Sequence, residues 1–447
     1  MTRDLTHGKI LPQLVRFTVP LVLGNLFQLM YNAADSIIVG RFVGKEALAS
    51  VGICNSVITL LILFLNGLCM GASILTGNLY GAGETEKLKK QASTTLVSGS
   101  IFSAGLSVLC FLLSAQILKL VQADASLLPL AGRYLRIILA GLIFTFLYNY
   151  FSSVLRALGD SFTPLYFLIL SSLLNIAADL VFVLVLNKGC EGCAVATVLS
   201  QAISCLLCFL YIQRKVDILR LGRGWFIFDR ELFRKTVAYG WVSAMQQATV
   251  QLGKIGIQTI VNTMGVSVTA AFTAVNRADD FAYIPEQNIG HAMTAFMAQN
   301  RGAKLPEREK KGFFGGMGLE AGYGVLIFLM CFFLAEPVMR LFSADEEVIR
   351  HGVRYLHLIS FMYILPAVTN GIQGYFRGIG DLKITLLSSF VNMGTRVIAA
   401  CILVFRFHLG IEALPWSYLV GWFCMLAVET PLLLKNIRKM NYGSVAK

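Results

Sequence analysis

The chain has 447 residues, 56% of them apolar and only 14% charged, with a formal net charge of +13 and a mean hydropathy of +0.69. A soluble globular domain carries about 25% charged residues, so this composition excludes an ordinary water-soluble protein and indicates a polytopic membrane protein. The positive excess is spread over short polar breaks between apolar runs, which reads as membrane topology and not as a nucleic-acid surface.

The opening residues, MTRDLTHGKILPQLVRF, are charged and lack a compact apolar core and a cleavage site, so no signal peptide is expected to be removed. Residues 1–13 read as a cytoplasmic tail. Twelve apolar runs follow, at 14–40, 46–80, 88–119, 126–156, 161–186, 191–214, 231–263, 267–301, 307–341, 346–377, 382–405 and 411–435. Each is long enough to cross a bilayer as a helix, and each is continuously apolar where a barrel strand would alternate. The expected domains are an N-terminal six-helix bundle (14–214), a basic cytoplasmic linker (215–230), a C-terminal six-helix bundle (231–440) and a tail (441–447).

In the first run, Pro20 removes a backbone hydrogen bond and offers a hinge. Asp35 follows in mid-run, with Tyr31 and Asn32 three to four residues before it on the same helical face. Basic residues gather in alternate breaks, among them Lys87, Lys89 and Lys90, then Arg214 to Lys235, then Arg301 to Lys311. The opposite breaks near 122–126 and 343–347 hold few, so both termini are expected on the cytoplasmic side of the plasma (inner) membrane.

The fifth run holds a second mid-run carboxylate, Asp179, with Asn175 one turn before it. A charge at the bilayer centre costs about 2.5 to 3.5 kcal/mol even on lenient scales, so each carboxylate needs a partner, a cavity or a proton. Carboxylates beside neutral oxygen donors suit a hard cation such as sodium, and a desolvated carboxyl can instead carry a proton. The plainer alternative is pairing with the basic residues of the later runs: Lys254 in the seventh, Arg277 in the eighth and Arg396 in the eleventh.

Nearly all ten cysteines lie singly in apolar runs as small hydrophobes; Cys190 and Cys193 form one CxxC in an expected outward loop, as a disulfide or as two inert residues. The linker, with Trp225, Phe226 and Phe228 beside Arg220, Arg223 and Arg230, suits either a segment on the inner leaflet or a plain connection. No HExxH, GxSxG or Walker-type motif is present, so neither an enzyme nor an ATP-driven pump is expected.

The two halves repeat at a spacing of 221: Asn55 recurs as Asn276, Arg133 as Arg354, and Arg156-x-x-Gly159-Asp160 as Arg377-x-x-Gly380-Asp381. From Arg133 to Asp160, 9 of 28 positions match their counterparts. The Arg-x-x-Gly-Asp turns read as structural, with Gly reversing the chain and Asp capping the next helix. Six runs per copy keep the copies parallel. The expected fold is therefore all-α, twelve transmembrane helices in two parallel six-helix bundles related by a pseudo-twofold axis along the membrane normal, with a substrate cavity between them. The repeat breaks in the chemistry: Pro20 and Asp35 face Trp241 and Gly256, and aligning Ser171 with Ser388 across a four-residue gap sets Asp179 against Arg396.

The stretch FTVPLVLGNLFQLMYNAADSIIVGRFVG (17–44), the QNRGA at 299–303 and the two Arg-x-x-Gly-Asp turns together resemble the multidrug and toxic compound extrusion (MATE) family over essentially the whole chain. The likeness is to its DinF-like branch, whose cation site lies in the N-terminal bundle. That resemblance implies a site at Asp35, Asn175, Asp179 and Thr197, with Asn149 and Tyr31 nearby. Lys254 departs from the branch that places acidic residues on the seventh helix. The resemblance further implies a monomeric antiporter without a cofactor, exporting amphipathic organic cations against inward sodium or protons by alternating access. The competing expectation is a flippase for a lipid-linked sugar or peptidoglycan precursor, with Lys254, Arg277 and Arg396 in a basic cavity.

Overall fold

A computed structural model describes residues 4–121, 124–220 and 227–445; side chains are described to 438. Every regular element among them is helical, as continuous apolar runs in lipid require. The chain forms two compact units. The first comprises Val19–Ala244 with Met1–Asp4, and the second Met245–Lys447 with Leu5–Thr18.

In the first unit lie α1 (Ile10–Ile38) from Val19 onward, α2 (Lys45–Gly81), α3 (Thr85–Leu112), the short α4 (Ser114–Leu120), α5 (Leu128–Ala140), α6 (Leu142–Ala157), α7 (Phe162–Leu180) and α8 (Gly189–Lys215). The expected run 126–156 is a broken span, because α5 and α6 meet at 44°. Its core is filled by Leu65, Leu88, Phe146, Leu155 and Cys208 toward one end and Val39, Cys54, Leu135 and Cys193 toward the other. Gly99 is required there: a Cβ on it would fall 2.0 Å from the Phe146 ring.

The second unit holds the rest of α9 (Arg230–Asn262), then α10 (Val266–Gly302), α11 (Pro306–Phe333), the short α12 (Ala335–Phe342), α13 (Glu346–Ser360), α14 (Ile364–Gly378), α15 (Leu382–Cys401) and α16 (Ala413–Val445). Here α13 and α14 meet at 54°. Among the described residues eight helices are long and apolar enough to cross a membrane alone, and the two bent pairs, each taken as one span, bring this to ten. α9 and α10, 33 and 37 residues long, stand where the seventh and eighth runs were expected; Lys254, Arg277, Asp279, Asp280 and Glu286 make them more polar.

The segment Leu5–Thr18 belongs with the second unit. Arg308 donates from Nη1 to Gly8 O (2.7 Å) and from Nη2 to His7 O (3.0 Å), Leu5 O (3.1 Å) and Gln13 Oε1 (2.8 Å). The Leu5 N–H donates to Gln299 Oε1 at 2.9 Å. The chain therefore passes from one unit to the other inside α1, beside Pro20.

The repeat is visible in the backbone. Left-handed residues recur at the same spacing of 221: Gly44 with Gly265, Gly83 with Lys304, Gly159 with Gly380 and Asn187 with His408. Gly159 and Gly380 have φ of 84° and 85°, a conformation that suits glycine. The capping beside them is unequal. Asp160 accepts from Thr163 N (3.0 Å) and Oγ1 (2.7 Å), whereas Asp381 makes no side-chain cap.

One alignment changes. α7 and α15 begin at 162 and 382, and the π-helical turns that follow them span 181–185 and 402–406. The spacing is thus kept through the helix without a four-residue gap. Asp179 corresponds to Ala400, and Arg396 to Asn175.

Of the expected linker, residues 221–226, with Arg223, Trp225 and Phe226, lie outside the described residues. Past them the Ile227 N–H donates to Ser93 Oγ at 2.9 Å, and Asp229 accepts from Glu231 N and Leu232 N to start α9. The exposed Phe228 packs on Phe233.

Candidate functional site

Three helices of the first unit bring the expected polar residues together. Asp160 caps the first turn of α7, and this apolar helix carries Asn175 and Asp179 one turn apart near its other end. Both are buried, at 1% and 0% exposure. The π-helical turn Val181–Val185 follows directly, an irregularity that often marks a functional position.

The sequence reading placed Cys190 and Cys193 in a loop; they lie in α8, which starts at Gly189, and both are free buried thiols. Helical spacing puts Cys190, Cys193 and Thr197 on one face of α8. The carboxylate oxygens of Asp35 and Asp179 and the Cys193 Sγ all lie within 4.8 Å of one another. Asn175 ties this group to α8: its amide nitrogen donates to Asp179 Oδ2 at 3.1 Å, and its oxygen accepts from Thr197 N at 3.3 Å. The Tyr31 and Thr197 hydroxyls pair, and Tyr134 of α5 faces Asp35.

Among the described residues no basic side chain balances the charge in this junction. Asp35 Oδ1 and Asp179 Oδ1 are buried without a hydrogen-bond partner, and among the described residues neither carboxylate is in an ion pair. Two carboxylates so close, shielded from water, require a cation or a proton between them.

Asn149 stands on α6 and donates to Thr145 O of its own helix at 2.9 Å. Pro20 sits inside α1, which continues as a single helix to Ile38. The three basic residues of the second unit are dispersed. Lys254 and Arg277 are exposed on α9 and α10, while Arg396 is buried on α15 with its guanidinium 3.7 Å above the Tyr418 ring and 5.3 Å from that of Trp422. Asp279, which accepts from the Tyr363 hydroxyl, faces both Lys254 and Arg396.

Sequence reasoning missed Cys193 and Tyr134. It also missed the acids of the second unit: Asp279, Glu286, Glu320 and Glu429 stand inside the eighth, ninth and twelfth apolar runs, the same signal that singled out Asp35.

A sequence model of the MatE family matches residues 20–181 and 243–402. The chain is 30% identical over 395 residues to "Probable multidrug resistance protein YoeA" of Bacillus subtilis (strain 168), covering 87% of this chain and 85% of the relative. It is 29% identical over 390 residues to "Probable multidrug resistance protein YpnP" of the same strain, covering 87% of each. Its fold superposes on the crystal structure of MATE in the bent conformation with a TM-score of 0.92, at 22% identity over 99% of this chain and 98% of that one. With both halves matched by the family and the whole helical order reproduced in a solved member, this multi-pass membrane protein belongs to the MATE family of transporters.

Proposed function

We propose that the chain exports amphipathic organic cations from the cell in exchange for inward protons, the Asp35–Asp179 pair being the coupling site. The carrying observation is the pair itself: two carboxylates, each with one buried, unpartnered oxygen, at a three-helix junction, with no ion pair to either among the described residues. Efflux of drugs is supported by the two Bacillus subtilis relatives, each named "Probable multidrug resistance protein". The proton is favoured over sodium by the donors at hand. Asn175 turns its amide nitrogen toward Asp179, the Thr197 hydroxyl is engaged with Tyr31, and Cys193 offers a soft thiol, so few neutral oxygens remain for a hard ion.

In this reading a proton shared by Asp35 and Asp179 holds α1 against α7, and its loss leaves two like charges that push α1 away. Pro20, fifteen residues earlier on α1, supplies the joint. The protein acts as a monomer in the plasma (inner) membrane with both termini cytoplasmic. The flippase alternative gains no support from Lys254, Arg277 and Arg396, because Asp279 faces two of them and pyrophosphate needs an unopposed basic patch.

The test is uptake of ethidium by inside-out proteoliposomes under separately imposed proton and sodium gradients. Proton-driven uptake is expected; uptake that needs only sodium transfers the role to that ion, and uptake with neither gradient removes the coupling.

A further inference from the structure

We propose that the second unit carries its own proton-loading site, formed by Glu286, Glu320 and Glu429 around Arg377. It does not depend on Asp35 or Asp179, and it takes up and returns protons by itself.

Four helices build it. Glu286 is on α10, Glu320 on α11 and Glu429 on α16, and all three helices pack on α14, which carries Arg377 in its last turn. Close approach at glycine fixes the arrangement. The Arg377 Nη2 lies 3.5 Å from where a Cβ of Gly290 would stand, one turn beyond Glu286. The Glu320 Cγ lies 3.5 Å from the equivalent point on Gly371, on the same helix as Arg377. Arg377 faces Glu320 and Glu429, Glu320 faces Glu286, and Glu429 stands beside Gln373 and Ser388. The remaining titratable neighbours are Asp279 and Tyr283 of α10, Tyr323 of α11 and Arg396 of α15, with Tyr355 of α13 facing Asp279.

Two observations separate this cluster from an ordinary internal ion pair. All three glutamates are 0% exposed, and among the described residues no carboxyl oxygen of Glu286 or Glu320 has a hydrogen-bond partner. Buried carboxyls serving structure alone are saturated by N–H and O–H donors. Second, the charges do not cancel. Arg377 offsets one carboxylate, and its Nε is spent on Gln373 O at 3.2 Å. The other two carboxyls are neutral in a dry interior only with a proton on each, since an uncompensated buried charge neutralises instead of persisting. The ligand is therefore the proton. A metal cation would need neutral oxygens pointing inward, and the nearest are already engaged: Gln373 Oε1 accepts from Gln246 Nε2 at 3.0 Å and the Ser388 hydroxyl donates to Thr385 O at 3.2 Å.

The experiment reads the infrared band of protonated carboxyls in the full chain in lipid nanodiscs, with Asp35→Asn and Asp179→Asn in place so that the first unit is silent. A band is expected at neutral pH, shrinking when Glu286→Gln, Glu320→Gln or Glu429→Gln is added, and vanishing reversibly as the buffer is made alkaline. Gln is isosteric with protonated Glu, and size-exclusion chromatography checks folding. Arg377→Gln serves as a second variant and is expected to enlarge the band, because a further carboxyl must then be protonated. Absence of the band at neutral pH overturns the proposal. So does a band that none of these variants alters, or one that Gln removes but alkali does not.

Discussion

Asp35 on α1 and Asp179 on α7 hold carboxylate oxygens within 4.8 Å of each other and of the Cys193 thiol, although they are 144 positions apart in the chain. The approach depends on α8, whose Thr197 N–H donates to the Asn175 amide oxygen while the Asn175 amide nitrogen donates to Asp179. Two acids are thereby held close enough to compete for one positive charge.

Asn175 is the link that holds this geometry. Asn175→Ala takes from Asp179 the amide donor one turn before it, and a buried group left unsatisfied costs about 1 to 3 kcal/mol. Thermal unfolding in detergent is expected to show that loss, and Asn175→Asp is expected not to rescue it, since a third acid adds repulsion. An unchanged melting temperature for Asn175→Ala contradicts the bridging role.

The packing of α3 gives a paired test. Gly99→Ala drives a methyl group into the Phe146 ring, and overpacking of this kind costs about 1 to 3 kcal/mol. Gly105, on the same helix, has open space where its Cβ would be, so Gly105→Ala is expected to be neutral or slightly stabilising. Equal melting temperatures for the two variants speak against the close fit at Gly99.

The unequal turns predict unequal losses. Asp160→Ala removes a side-chain cap worth about 1 kcal/mol, whereas Asp381 has no such bond to lose. Chemical denaturation is expected to rank Asp160→Ala clearly below Asp381→Ala in stability. The reverse order would falsify the assignment of capping to the first copy alone.

Arg308 holds residues 5–13 through four acceptors, so Arg308→Ala is expected to loosen that segment locally. Limited trypsin digestion reads this directly at the exposed Lys9, which is expected to be cut faster in the variant. An unaltered cleavage rate means that other contacts suffice.

The fold was largely legible because lipid leaves few choices: continuous apolar runs of sufficient length have to be helices, and the repeat set their order. The duplicated turns at Gly159 and Gly380 were readable for the same reason, as only a few residues tolerate that backbone. Breaks within a run were not readable. The bend between α5 and α6 leaves no charge or proline in the sequence to mark it, and at the bend between α13 and α14 Pro366 stands within a continuous apolar run. The candidate site was half visible. Asp35, Asn175 and Asp179 announced themselves as polar residues in apolar surroundings, but Cys193 was lost because the start of α8 at Gly189 could not be placed to within one turn. Glu286, Glu320 and Glu429 carried the same signal as Asp35.

Coupling through Asp35 is tested most directly by ethidium transport in proteoliposomes bearing an imposed proton gradient, comparing the unsubstituted protein with Asp35→Asn. Neutralising one of two essential carboxylates is expected to lower gradient-driven transport by roughly 100-fold or more, in the range of removing a proton-transferring group, while equilibrium binding of ethidium persists. Gradient-driven transport at the unsubstituted rate in Asp35→Asn would show that the carboxylate pair does not carry the coupling ion.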